Sequence, residues 1–254
     1  MLGSSAYPSL SAMEQDPIEL YETPPNMRDK NRFIRFTYAI FGRPGAYPAY
    51  PGPDAVLMLP FDIGWKDFSI YYFHDVRISG FGPLFSGAFL LSLILLAFVL
   101  FQKNSHRLFI ILLYTAIILS LLVSQHTWWA RYGPQLWLLP IISISAGFFI
   151  TNNRFILWSA RILASILLIN ALLIAAVHFH WEIDATKTTN EQLTLLKQKG
   201  DVEIDFQYFR EPFSERLRNA GVTFHATHRL QCDNPIELMS VSPGYPGAVR
   251  ACIK

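Results

Sequence analysis

Residues 82–102 read GPLFSGAFLLSLILLAFVLFQ and contain no charged side chain. A run of about 20 apolar residues is long enough to cross the hydrocarbon core of a bilayer as one helix. Three further apolar segments follow, at residues 108–124, 133–151 and 155–179. The sequence therefore predicts an α-helical integral membrane protein with about four transmembrane helices. In the third helix, Pro134 fits the first turn and Pro140 predicts a kink further in.

The charges divide the chain into three parts. No Asp or Glu occurs between Asp75 and Glu182, and the basic residues of that interval are Arg77, Lys103, Arg107, Arg131, Arg154 and Arg161. We therefore expect a polar and aromatic loop region at residues 1–81, a four-helix transmembrane region at 82–179, and a small soluble α/β domain at 180–254. The lipid bilayer is the first expected partner.

The short loops between the apolar segments predict the orientation. The first loop carries Lys103 and Arg107, and the third carries Arg154, whereas the second carries Arg131 as its one basic residue. Basic short loops stay in the cytoplasm. We therefore expect a multi-pass protein with both termini and the Arg131 loop outside the cytoplasm.

The tail after residue 180 has the pattern of a small α/β unit. Thr189 and Gln192 fit a capping box at the start of a helix that runs to Lys199, and Gly200 fits the stop after it. Residues 202–206 alternate as a strand does, and residues 211–220 predict a second helix. Residues 222–224 and 238–241 predict further strands.

Two cysteines, Cys232 and Cys252, lie in this tail. If the tail faces an oxidising compartment, a disulfide between them closes the intervening loop. The alternative is a pair of free thiols, and the sequence leaves both open.

The region before the first apolar segment has no signal-peptide pattern, since no basic stretch followed by an apolar core occurs there. Translocation of so long a charged tail ahead of the first span is uncommon. We therefore expect that the chain is the carboxyl-terminal part of a longer protein with an amino-terminal membrane portion. A cytoplasmic tail with inverted topology is the alternative, and it conflicts with the loop charges.

Several classes of function find no support in the sequence. No nucleic-acid-binding module, GxSxG motif or phosphate-binding glycine loop occurs. The pairs His178–His180 and His225–His228 lack the carboxylate pattern of a zinc site such as HExxH, so we interpret them as surface or interfacial histidines. We predict no nucleic-acid partner and no cofactor, and we leave a divalent metal open.

The second loop, residues 126–140, reads HTWWARYGPQLWLLP and has Arg131 at its centre. A permanently charged, five-donor side chain among aromatic rings suits an anionic head group, above all a phosphate. The alternative is an interfacial anchor, in which Trp and Tyr form a belt and the arginine reaches to head-group level. The candidate binding residues are Arg131, His126, Trp128, Trp129, Tyr132 and Gln135.

Asp75 is the candidate acid, in the sequence FHDVR just before the first span. An enzyme that acts on an activated sugar at the outer membrane surface needs a general base. Surface solvation or pairing with Arg77 explains this carboxylate equally well.

The sequences WARYGPQLWLLP and DVRISGFGPLFSGAFLLSLILL resemble elements of late spans in bacterial polytopic glycosyltransferases of the GT-C class, which include the protein mannosyltransferases and aminoarabinose transferases. The resemblance covers about residues 75–140. It implies a protein of the bacterial inner membrane and cell envelope that uses a polyprenyl-phosphate-linked sugar, with Arg131 at the donor phosphate. The family's catalytic Asp lies in a first outward loop that has no counterpart here, which puts independent activity in doubt.

The leading hypothesis is a partial membrane glycosyltransferase that moves a sugar from a polyprenyl-phosphate donor to an acceptor outside the cytoplasm. Arg131 in its aromatic setting favours this hypothesis. The alternative is a non-enzymatic membrane scaffold or assembly subunit whose tail domain binds a partner, and the acid-free membrane block favours that alternative.

Overall fold

The computed structural model describes residues 23–45, 53–62, 64–73, 75–102, 105–124, 126–150, 152–207, 210–232, 234–238 and 249–253. Across these residues the chain is mostly helical and carries one small sheet. The helices before residue 200 form a bundle of apolar helices with a loop layer at one end, and the sheet lies in the tail.

The loop layer contains two short helices. Helix α1 spans Arg32–Phe41 and begins after Asn31, whose side chain accepts a hydrogen bond from the backbone N–H of Ile34. Helix α2 spans Trp65–Ile70. Helix α1 packs on the bundle, and the Arg32 guanidinium donates to the carbonyl of Leu122 over 3.2 Å. The layer is therefore attached to the bundle by both apolar and polar contacts.

Four apolar helices make the bundle: α3 at Phe85–Phe101, α4 at Arg107–Val123, α5 at Leu138–Phe149 and α6 at Arg154–Lys199. Helices α3, α5 and α6 pack on one another, and α4 packs mainly on α5. A 3-10 turn at Pro134–Trp137 precedes α5. Because the α-helix begins only after this turn, Pro140 lies in its first turn, where a proline costs no helical hydrogen bond. The structure thus places Pro140 at the start of α5 rather than further in, and the kink stays a prediction.

By length and composition, one helix among the described residues is able to cross a membrane, namely α6. Helices α3 and α4 have 17 residues each, and the apolar stretch around α5 spans Pro134–Phe149. At 1.5 Å per residue, 17 residues cover about 26 Å, slightly less than the hydrocarbon core of a bilayer. The structure therefore supports one candidate span, and the other three stay a prediction.

Asn170 of α6 binds the chain segment at the start of α3. Its side chain is fully buried, its amide donates to the carbonyl of Phe81 over 2.9 Å, and its oxygen accepts from the backbone N–H of Leu84 over 2.7 Å. The first N–H groups of a helix have no partner within that helix. Asn170 thus caps the start of α3 from another helix, and it fixes the loop before α3 against α6.

Helix α6 is 46 residues long, about 69 Å, and continues without a break from the bundle into the tail. The predicted helix start at Thr189 is therefore wrong. Thr189 is buried within α6, and its hydroxyl donates to the carbonyl of Ala185 one turn earlier. The predicted stop is confirmed, since the helix ends at Lys199 and Gly200 adopts a φ of +87°.

The tail sheet has four strands in the order β2-β1-β4-β3. Strand β1 spans Val202–Phe206, as predicted, and helix α7 at Arg210–Asn219 connects it to the parallel strand β2 at Phe224–Ala226. Strand β3 is short, at Ile236–Glu237, and residues 239–241 of the predicted strand lie outside the described residues. The antiparallel strand β4, Val249–Ile253, was not predicted.

A second apolar core lies between this sheet, α7 and the end of α6. Leu196 of α6 is fully buried in it together with Ile204 and Leu217. The structure joins Cys232 to Cys252 of β4 by a disulfide, with the two Cα atoms 6.0 Å apart. The tail is therefore connected to α6 through packing and to its own last strand through a covalent bond.

Candidate functional site

Two loops that are distant in the sequence meet at the end of the bundle. The first runs from Asp75 to Phe81, and the second contains Trp129, Ala130 and Arg131. The backbone N–H of Ala130 donates to the carbonyl of Arg77 over 2.8 Å. A Cβ atom on Gly80 would lie 2.7 Å from the Cβ of Ala130, so only glycine allows this approach. The loops are thus held edge to edge.

Asp75 lies at the centre of the contact. Its Oδ1 accepts a hydrogen bond from the indole N–H of Trp129 over 2.6 Å. Its Oδ2 lies 3.8 Å from the Arg131 guanidinium and 3.9 Å from that of Arg77. The carboxylate that lies beside Arg131 therefore comes from the other loop, and one carboxylate faces two guanidinium groups.

The aromatic rings hold both arginines in place. The guanidinium carbons of Arg77 and Arg131 lie 4.6 Å and 4.5 Å from the centroid of the Trp129 ring. Arg131 also lies 5.1 Å from the Tyr132 ring centroid and donates to its hydroxyl over 3.1 Å. These are cation–π distances, which stabilise a guanidinium by about 0.5–1 kcal/mol at exposed sites.

The two arginines differ in accessibility. The Arg77 side chain is 9% exposed, whereas the side chain of Arg131 is 56% exposed. Asp75, Arg77 and Arg131 together carry one net positive charge. The exposed guanidinium is therefore the one that an anion from outside can reach, and the buried one adds positive potential beside it.

A cavity of about 230 Å³ opens beside Arg131 and Asp75. Its other walls come from the 3-10 turn before α5 and from α6, through Trp137, Ile174 and His178. Its volume is below the range of about 300–1,000 Å³ for complete small-molecule pockets. The cavity suits a head group, with the rest of a larger ligand outside it.

The other predicted binding residues are close to this site but have different surroundings. Trp128 is fully buried in a small cluster with Ile78 and Met27. The ring of His126 lies 5.8 Å from that of Tyr132, and Gln135 is half-buried and does not line the cavity. The centre of the site therefore consists of Arg131, Trp129, Tyr132 and Asp75. Trp128 packs in the buried cluster that also contains Trp129.

The turn at Pro134 differs from the predicted helix start. It consists of four residues of 3-10 helix rather than the first turn of an α-helix. The N–H of Leu136 is used within it, by the carbonyl of Gly133. The N–H of Leu136 is therefore not available to an anion at Arg131.

Tyr71 also lines the cavity beside Arg131. It is 1% exposed, and its hydroxyl donates to the carbonyl of Ser79 over 3.0 Å. Burial raises the pKa of Tyr71 well above its ordinary value, and the negative charge of Asp67 raises it further, whereas the hydrogen bond to Ser79 acts in the opposite direction. Tyr71 is therefore a neutral hydrogen-bond donor over the physiological pH range.

The sequence did not single out Arg77 or His178 as site residues. Arg77 was considered only as a partner for Asp75, and His178 only as half of an HxH pair. His178 comes into the cavity from α6. Only the three-dimensional packing brings it there, because His178 follows Arg131 by more than forty residues. Among the described residues, no group of three His, Cys, Asp or Glu side chains is arranged to hold a metal ion.

No family model, no curated protein and no solved structure matches this chain.

Proposed function

We propose that the protein is a multi-pass membrane protein of the glycosyltransferase type that holds the phosphate of a polyprenyl-phosphate-linked sugar at Arg131. The observation that carries the proposal is the exposed Arg131 guanidinium at the mouth of a head-group-sized cavity, beside the buried Arg77. Guanidinium groups bind phosphate oxygens through pairs of charge-assisted hydrogen bonds.

The aromatic surroundings agree with such a ligand. Trp129 and Tyr132 restrict the rotation of Arg131, so less conformational entropy is lost when it binds. Phe73, Phe81 and Trp137 add apolar walls to the cavity. A phosphate in the cavity would therefore meet the Arg131 guanidinium, and the apolar chain attached to it would meet apolar side chains.

The outer faces of the four apolar helices support a location in the bilayer. Leu112 of α4 and Leu172 of α6 are each 58% exposed, and Phe98 of α3 and Ile141 of α5 are also exposed. Only 17% of the most apolar stretch of α6 is buried in the protein. Exposed apolar surface of this extent is costly in water and neutral in lipid. We therefore propose four spans in the bacterial inner membrane, with the tail and the Arg131 loop outside the cytoplasm.

Asp75 fits a positioning role better than that of a general base. Its two oxygens already accept from Trp129 and face both arginines. A base must have a lone pair within reach of the acceptor's proton. We assign Asp75 to the positioning of the Trp129 ring, on which Arg131 stacks.

Binding of a short-chain polyprenyl phosphate to the full chain in detergent micelles tests the phosphate site. Arg131→Gln should weaken binding by about tenfold or more, since a charge-assisted hydrogen bond contributes about 1.5–3 kcal/mol. Arg161→Gln is the matched control, because Arg161 also stacks on a tryptophan, Trp158 at 4.8 Å, but does not line the cavity. The uncharged polyprenol should bind wild type and both variants alike. Equal binding of the phosphate by wild type and Arg131→Gln would refute the site.

Labelling of single cysteines tests the topology. Ser105 lies in the short connection between α3 and α4, and Thr223 lies in the tail. In intact cells a membrane-impermeant thiol reagent should label Thr223→Cys and leave Ser105→Cys unmodified until the membrane is opened. The reverse pattern would show the inverted orientation, and labelling of both would show that α4, α5 and α6 together cross the membrane an even number of times, which would contradict the proposed spans.

A scaffold without enzymatic activity is the second candidate. The continuous α6 favours it, because this helix holds the tail domain at a fixed distance from the bundle. A scaffold would bind polyprenyl phosphate and polyprenol with equal affinity, so the experiment on Arg131 separates the two candidates.

A further inference from the structure

The tail contains a second cavity, of about 430 Å³, which is remote in sequence from the Arg131 site. It lies where β1, α7 and β2 meet: Phe206 is the last residue of β1, Arg210 the first of α7, and Ala226 the last of β2. Strands β1 and β2 are parallel. The lining also includes Val222 and Phe224 at the start of β2, which is an edge strand of the sheet. The cavity is therefore a groove between α7 and the edge strand.

Its rim is basic. Arg210, Ser214 and Arg218 recur at intervals of four residues, so they line one side of α7 above the cavity. Arg218 lies 3.8 Å from Glu215 on the exposed surface, and no ion pair within the described part of the tail involves Arg210. Glu215 is not among the cavity residues. The rim therefore presents two guanidinium groups and one hydroxyl.

Its floor is aromatic. The rings of Phe206 and Phe224 meet edge to face, with their centroids 5.8 Å apart. Phe206 is buried, while Phe224 is half-buried at the open edge of the sheet. Such a floor is an apolar platform on which a ring can lie. His225 is at the mouth of the cavity, where its Nε2 is 3.3 Å from the Asp201 carboxylate.

From these contacts we infer that the tail cavity binds a small ring compound that carries a carboxylate or a phosphate, such as an acidic or phosphorylated sugar. The anionic group pairs with Arg210 and Arg218, the Ser214 hydroxyl adds a hydrogen bond, and the ring lies on Phe224. The volume is within the range of about 300–1,000 Å³ that is typical of small-molecule sites. Arginines on the rim attract anions and do not act as metal ligands.

The site is independent of the phosphate site proposed at Arg131, since the two share no residue. The experiment measures binding of four probes to the full chain in detergent micelles: glucuronate, glucose 6-phosphate, glucose and benzoate. Wild type should bind the charged sugars and should not bind glucose. Benzoate distinguishes the sources, because binding of benzoate alone would assign the site to aromatic acids rather than to sugars.

Exposed arginines allow substitution without loss of folding. The double variant Arg210→Gln/Arg218→Gln should weaken binding of the charged probe by about tenfold or more. Arg210→Lys/Arg218→Lys keeps the charge but loses the paired donors, so its affinity should lie between that of wild type and that of the double glutamine variant. Arg229→Gln removes an exposed arginine of the same tail that does not line the cavity, and it should bind as wild type does.

The inference would be overturned by no binding of any charged probe by wild type at millimolar concentration, by unchanged binding in the double glutamine variant, or by an equal loss in Arg229→Gln. Binding of an acidic peptide in place of all four probes would also overturn it, because the open edge of β2 would then serve strand addition.

Discussion

The indole N–H of Trp129 donates to Oδ1 of Asp75 over 2.6 Å, across 54 positions of sequence. The same carboxylate faces Arg131 at 3.8 Å and so competes with any anion that approaches this guanidinium. Asp75→Asn removes the charge but keeps an oxygen for Trp129. An exposed ion pair contributes about 0.2–1 kcal/mol, so we expect polyprenyl phosphate to bind more tightly, by up to about fivefold.

The measurement is the same binding titration in detergent micelles, and Asp62→Asn is the control because Asp62 is an exposed carboxylate outside the cavity. Weaker binding by Asp75→Asn would show that the carboxylate is required to hold Arg131 and does not compete with the ligand.

Asn170 should be the most sensitive polar residue of the bundle. Asn170→Ala leaves the carbonyl of Phe81 and the N–H of Leu84 without their partner in a buried position. Each unsatisfied group costs about 1–3 kcal/mol, so the variant should unfold at a clearly lower temperature. Asn190→Ala, at an exposed position of the same helix, should unfold as wild type does. Equal melting temperatures of all three proteins in detergent would contradict the capping role.

One ion pair connects strands β1 and β4 of the tail sheet. The Arg250 guanidinium of β4 lies 2.6 Å from the Asp205 carboxylate of β1, and that carboxylate is 5% exposed. Arg250→Gln leaves a buried charge unpaired, which we expect to cost about 2–4 kcal/mol, less than for a fully buried pair because Arg250 is partly exposed. Asp205→Asn/Arg250→Gln removes both charges and should recover part of the loss. Amide hydrogen exchange of the tail measures the loss of stability in Arg250→Gln and its recovery in the double variant. No recovery in the double variant would contradict the ion-pair explanation.

Tyr71 should make the protein sensitive to alkali. Its pKa in the folded protein is raised by burial, whereas an unfolded chain releases the phenolic proton near pH 10. The contribution of neutral Tyr71 to the free energy of unfolding is therefore fully present below about pH 10. As the pH rises further, the free energy of unfolding falls by up to about 1.4 kcal/mol per pH unit. Tyr71→Phe should reduce this loss, and Tyr72→Phe should not. Thermal unfolding between about pH 8 and pH 11 measures the slope, and parallel slopes in wild type and Tyr71→Phe would contradict the assignment.

The parts of the fold that local chemistry determines were predictable from the sequence. The apolar helices follow from uninterrupted apolar runs, and the stop at Gly200 follows from the residue that most easily adopts a positive φ. The first strand of the tail follows from alternation in VEIDF. In each case the signal lies within a few neighbouring residues.

The rest depends on tertiary contacts. Thr189 has the local pattern of a helix start, but α6 already runs through it and no Gly or Pro between Arg154 and Lys199 interrupts the helix. The short segment 249–253 forms a strand because Val202–Phe206 offers it a partner. The contact between Asp75 and Trp129 joins two loops, and no sequence pattern predicts that these loops meet.

The unbroken α6 also has a mechanical consequence. Its last twenty or so residues extend about 30 Å beyond the apolar segment and end in the tail core at Leu196. Ile174 and His178, on the same rod, border the Arg131 cavity. A tilt of this segment by about ten degrees would swing its far end by about 5 Å, as a lever arm of this length requires. Because Ile174 and His178 belong to the same helix, a tilt of the whole of α6 would move the tail and one wall of the Arg131 cavity together.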